Sequence, residues 1–176
     1  MTVPAAPSLA TSAEGAAERT RTFGWADPAA LARAGASLTG LEYLRAIAAG
    51  ELPPPPIASA LGLELVDVQE GRVIFAMAPH EWLFNPIGSV HGGAVATLVD
   101  SAASCAVHST LAPGVAYATT DLHVTYVRPL QADAGRAVCV GEVLHAGRRL
   151  ATAGARVEDA AGRLLAHGVV TCAVLS

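Results

Sequence analysis

Asn85-Pro86-Ile87-Gly88-Ser89-Val90-His91-Gly92-Gly93, with the apolar run Ala94 to Thr110 behind it, decides how this chain folds. From Gly92 to Thr110 there is no proline, and glycine occurs only at the first two positions. Ala94, Val95, Ala96, Leu98, Val99, Ala102, Ala103, Ala106 and Val107 are mostly good helix formers, so the run predicts one helix. Its apolar residues cover nearly the whole circumference, the pattern of a helix buried on most sides. It is too short and too interrupted by polar groups to span a membrane. Those polar groups share a face: Thr97, Asp100 or Ser101, Ser104 and His108 recur three or four residues apart.

Asp100 therefore lies inside a polar stripe and not at a helix cap. A buried carboxylate is costly unless it is hydrogen-bonded or reaches a wet cleft. One reading ties it to a neighbouring hydroxyl such as Ser104; the other makes it a reactive acid. Gly92 and Gly93 allow close approach to the backbone, and the first free N–H groups of a helix can polarise a carbonyl. Asn85 and His91 stand where side-chain donors would join them. The same residues also suit a plain loop, with glycine for its turn, Asn for an Asx bond and His as a satisfied core group. Gly92 and Asp100 are separated by about 12 Å along a helix rising ~1.5 Å per residue. One chain cannot easily aim both at the same carbonyl. A symmetric dimer, with the amide of one copy facing the acid of the other, resolves this and creates two equivalent sites.

Around this segment the chain suits one domain with an amino-terminal extension. Its 176 residues are 52% hydrophobic but only 5% aromatic, so the core must be built of small aliphatic side chains. The net charge of −4 and the lack of a basic patch or known motif argue against nucleic acid as a partner. Cys105, Cys139 and Cys172 are odd in number and scattered, which favours neither a disulfide framework nor a zinc site and fits a reducing cytoplasm. Pro4, Pro7 and Glu14, without a basic n-region, argue against a secretory signal.

Residues 1 to about 36 read as a mobile or loosely docked arm that Phe23 and Trp25 could anchor. Leu41, Leu44, Ile47 and Ala48 predict a short amphipathic helix within 37–49. Pro53 to Pro56 end it as a stiff spacer, placing a boundary between an extension (1–56) and a domain (57–176). After one helical turn at 57–61, strands are predicted at 63–68 and 72–78, then, beyond the long helix, at 115–127, 137–144, 150–157 and 164–174. The order β-β-α-β-β-β-β describes an α+β domain whose antiparallel sheet can wrap one helix.

Asn85, the Gly88-x-x-His91-Gly92-Gly93 loop, the Thr97-Leu98-x-Asp100 step and Thr125-Tyr126-x-x-Pro129 together resemble the hotdog-fold acyl-CoA thioesterases of the PaaI type. The resemblance covers about residues 57 to 175. It implies a sheet wrapped around a central helix, and protomers paired through their sheets into dimers, often dimers of dimers. It also implies that the Gly92 N–H polarises a thioester carbonyl and that Asn85 and His91 help position it. Asp100 of the other chain would be nucleophile or general base, and needs neither a metal nor a cofactor. An assisting hydroxyl falls at Thr119, with Thr120 as the rival if the register slips by one. As an ordinary aspartate, Asp100 is expected to be charged near neutrality, as either role requires.

The phosphates of CoA call for cations at the cleft mouth. Arg148, Arg149 and Arg128 are the candidates, with Gly93 as a further substrate-binding residue, although solvated turn charges are the plainer reading of the arginines. Two alternatives remain: a hotdog hydratase or dehydratase, whose His and acid motif is absent here, and a non-catalytic acyl-CoA-binding protein. Cys105 has no activating base specified and suits packing better than nucleophilic attack.

Overall fold

The computed structural model of the protein describes residues 19–175. Pro4, Pro7 and Glu14, on which the expectation about a secretory signal rested, lie outside the described residues. Three short helices come first: α1 (Pro28–Gly35), α2 (Gly40–Ala48) and α3 (Pro56–Leu61). They are followed by strands β1 (Leu63–Gln69) and β2 (Arg72–Met77), a 3-10 turn at Glu81–Leu83, and the long helix α4 (Gly92–His108). Strands β3 (Ala116–Tyr126), β4 (Ala137–Ala146), β5 (Leu150–Glu158) and β6 (Leu164–Leu175) complete the chain. None of the described helices is long and apolar enough to cross a membrane.

The six strands form one antiparallel sheet in the order β1-β2-β4-β5-β6-β3, and α4 touches every strand of it. This is the wrapped-helix hotdog architecture that the resemblance implies. Alternation along the strands turns Val73, Phe75 and Met77 of β2, Cys139 of β4 and Ala153, Ala155 and Val157 of β5 inward. They meet Leu98, Val99, Ala102, Ala103, Ala106 and Val107 of α4, all fully buried.

Small side chains let helix and sheet approach closely. A Cβ on Gly141 of β4 would collide with the backbone of Ala102 and Ala103 in α4. Gly141→Ala is therefore expected to cost about 1–3 kcal/mol through overpacking against rigid backbone. At about 2–4 °C per kcal/mol for a domain of this size, thermal unfolding should show a drop of several degrees.

Of the expected arm, residues 19–36 are among the described ones, and they include a helix. Pro28–Gly35 is helical, started by proline in its first turn and by the Asp27 carboxylate, which accepts from the Ala29 N–H at 2.9 Å. Helix α2 begins with a reciprocal capping box between Thr39 and Glu42 and buries Leu44 in the main core.

Candidate active site

The Asn85 loop is tied by its own first side chain. Asn85 Oδ1 accepts from the N–H groups of Ile87 (3.0 Å) and Ser89 (3.3 Å), while Nδ2 donates to Ser89 Oγ at 3.0 Å. Gly88 takes a φ of 82°, which permits this tight return. The loop's two ends then bridge antiparallel at Phe84 and Val90, and the His91 N–H donates to Leu83 O at 2.7 Å. Asn85 is thus occupied with loop shape, delivering His91 to the start of α4.

His91 caps that helix: its Nδ1 accepts from the Gly93 N–H at 2.9 Å. This bond requires an unprotonated Nδ1, so a neutral ring carries its proton on Nε2 and offers a donor there. It also consumes the Gly93 amide. The Gly92 N–H makes no hydrogen bond among the described residues, leaving it as the open donor of the first turn. Tyr126, which sequence reasoning placed only in a motif and not in the site, fixes the other side of this residue. Its hydroxyl donates to Gly92 O at 2.8 Å, and a Cβ on Gly92 would lie 3.3 Å from the tyrosine ring.

Asp100 sits two turns further along α4, half-buried, and accepts from Thr119 Oγ1 at 2.9 Å. The hydroxyl that meets the acid therefore comes from β3 and not from Ser104, which is itself buried. A bulge explains the register. Thr119 pairs with Cys172 and Asp121 with Thr171, so Thr120 is the extra residue, and its hydroxyl donates to Thr171 O at 3.1 Å. Thr119 faces the helix; Thr120 serves the sheet.

Within one chain, Gly92 and Asp100 remain about 12 Å apart by helical rise. The cations divide accordingly. Arg128 lines a cleft of about 270 Å³ with Gly92 and Tyr126, one guanidinium nitrogen donating to Leu164 O at 2.8 Å. Arg148 and Arg149 are exposed in the turn before β5, where Ala151 pairs with Cys172 and Cys172 with Thr119. They stand at the Asp100 end of the sheet, opposite Arg128.

The cysteines offer no competing nucleophile. All three are free thiols; burial pushes Cys105 and Cys139 up to about 12 and raises Cys172 as well. A thiol held protonated at neutral pH is inert towards a thioester.

A sequence model described as the thioesterase superfamily matches residues 87–166. Acyl-coenzyme A thioesterase 13 of Homo sapiens is 37% identical over 110 residues, which is 60% of this chain and 75% of the relative. A protein of Halobacterium salinarum named as an esterase is 42% identical over 82 residues, 44% of this chain; the match spans 54% of that relative's length. Among solved structures, the E. coli PaaI protein from the phenylacetic acid degradation operon has the same fold, with a TM-score of 0.68 at 23% identity. That similarity covers 80% of this chain and 97% of PaaI.

Proposed function

The chain belongs to the thioesterase superfamily, and from that membership we propose that it hydrolyses an acyl-CoA thioester at a site shared by two copies of itself. The observation that carries this reading is the Thr119 hydroxyl bonded to Asp100 at 2.9 Å, on a helix whose open amide lies at its far end. The edge position of β3 supports the pairing. This strand carries Thr119, has a neighbour on one side only and exposes Leu122 and Tyr126. An unpaired edge of this kind is a template for a second copy.

In the proposed reaction the thioester oxygen accepts from the Gly92 N–H of one protomer. His91 Nε2–H and the free Nδ2 proton of Asn85 are the further donors on that side. Asp100 of the partner subunit, oriented by the same subunit's Thr119, either takes a proton from the attacking water or attacks the carbonyl carbon directly. On the first route the C–S bond breaks as the adduct collapses, CoA leaves as the thiolate and takes up the proton held by Asp100, and the acid is released. On the second, C–S cleavage leaves a mixed anhydride on Asp100, which water then hydrolyses to free the acid and restore the carboxylate, the proton from that water passing to the CoA thiolate. Negative charge developing on the oxygen is met by the helix amide, the kind of donor whose loss costs about 10²–10³-fold in rate. Arg128, Arg148 and Arg149 are the proposed phosphate contacts. Gly93 is a further proposed substrate contact; it presents bare backbone, and a Cβ there would lie 3.1 Å from His91 Nδ1. Residues 57–176 are the proposed catalytic domain and 1–56 its extension, in a cytoplasmic protein.

A panel of acyl-CoAs assayed with a thiol reagent tests this. Free CoA released in proportion to enzyme is the expected result. Altered enoyl absorbance without thiol would replace hydrolysis with hydration, and binding without turnover would leave an acyl-CoA-binding protein.

A further inference from the structure

Beyond Asp100, the second half of α4 borders a partly open cavity that the proposed chemistry leaves unused. This chamber has a volume of about 600 Å³ and lies beneath α2 and the proline spacer. Tyr43 and Ile47 of α2, Phe75 of β2, Cys105 and His108 of α4, and Tyr117 of β3 bound it. One of these leads back to the acid: Tyr117 precedes Thr119, the hydroxyl bonded to Asp100, by one pleat repeat on the same side of β3.

Helix α2 is fastened as a roof. The Gly40 N–H donates to Leu111 O at 3.0 Å, just beyond the end of α4, and Arg45 Nε donates to Val68 O at 3.3 Å. Only glycine fits at position 40, because a Cβ there would overlap the His108 carbonyl. The rings of Tyr43 and Tyr117 flank His108, with centroids 5.5 and 5.0 Å from the imidazole. Burial lowers the pKa of His108 and raises that of Tyr117, so both are neutral at physiological pH. The acidic residue on the lining, Glu64, is paired with Arg136.

We infer that this chamber receives the acyl group, and that α2 with the proline spacer closes its far end and sets the longest uncharged acyl group accepted. The inference rests on the hydrolase reading for the position of the thioester carbonyl. Asp100 to His108 spans about 12 Å of helix, enough depth for a medium-chain or aryl acyl group. The volume falls within the roughly 300–1,000 Å³ usual for small-molecule pockets. A terminal carboxylate is disfavoured, because it would enter an apolar space beside Glu64.

The test uses the full chain, with kcat/KM measured for butanoyl- to hexadecanoyl-CoA, phenylacetyl-CoA and glutaryl-CoA. Ile47→Trp fills the chamber from the roof and is expected to lower kcat/KM for the longest accepted acyl groups by about tenfold or more. Butanoyl-CoA turnover should stay within about twofold, since a short acyl group does not reach the roof. Tyr43→Ala enlarges the same end and should shift the preference towards longer chains. Circular dichroism confirms folding, and Tyr43→Ala alone decides the matter if Ile47→Trp does not fold. Calorimetric titration with S-dodecyl-CoA, a thioether that cannot be hydrolysed, separates the chamber from the chemistry. Its Kd should weaken about tenfold in Ile47→Trp. An unchanged long-to-short ratio, an equal loss across all acyl-CoAs, or an unchanged thioether Kd would overturn the chamber assignment. Wild-type protein that binds the thioether but turns over no acyl-CoA would overturn the hydrolase reading instead.

Discussion

Asp100→Asn is expected to lower kcat by about 10²–10⁴-fold, the range for removing a general base from a reaction that depends on it. The substitution preserves shape. Thr119 Oγ1 can still donate to the remaining carbonyl oxygen of the amide, and Asp100 lies on the half-buried face of α4, away from the fully buried Leu98, Val99, Ala102 and Ala103. Circular dichroism and thermal unfolding should therefore match wild type closely. Since the role proposed for Asp100 is on the water or the carbonyl carbon and not on the CoA moiety, KM should change far less than kcat. Kinetics of purified protein decide the point, and near-normal kcat would remove Asp100 from the mechanism whether it is base or nucleophile.

Local pattern made α4 legible. Its start at Gly92 is set by the loss of proline and by His91 at the cap, signals contained within a few residues. Its end comes at His108, two residues before Thr110, because the Thr110 and Leu111 N–H groups turn back to the Val107 and His108 carbonyls in a tighter closing turn. The strands were readable for a similar reason: each is bounded by glycine, proline or charged turn residues, and the sheet extends β1, β4, β5 and β6 by one or two residues beyond the pattern while β2 stops one residue short and β3 one residue short at each end. Helix α1 carries its own start signal in Asp27-Pro28, but the alanine-rich sequence around it lacks a strong period.

What sequence reasoning missed is long-range. The Tyr126 hydroxyl reaches Gly92 across 34 positions, and no spacing rule relates a strand end to a helix start. The chamber is still less local, since Tyr43 and Tyr117 meet around His108 only after α2 has folded onto the end of α4. Thr119 was separable from Thr120 only by the bulge, because a single-residue slip exchanges which of two adjacent hydroxyls faces the helix.

Two inactive variants are expected to restore each other when mixed. Gly92→Val places a branched side chain beside the open amide and against the Tyr126 ring, while leaving the Asp100 and Thr119 pair untouched about 12 Å away. Asp100→Asn leaves the Gly92 end intact. In a symmetric dimer with shared sites, each mixed pair has one doubly defective site and one site that takes wild-type Gly92 from one protomer and wild-type Asp100 from the other. Random pairing at equal amounts makes about half of the dimers mixed, so about one quarter of all sites recover. Co-expression with two affinity tags isolates the mixed dimer, whose turnover should be about half that of wild type, against almost none for either parent. A verified mixed dimer without activity would place both residues of each site in one chain. The separation along α4 would then have to be bridged by a water or by a reorganised loop, and the case for catalysis at a dimer interface would fall with it.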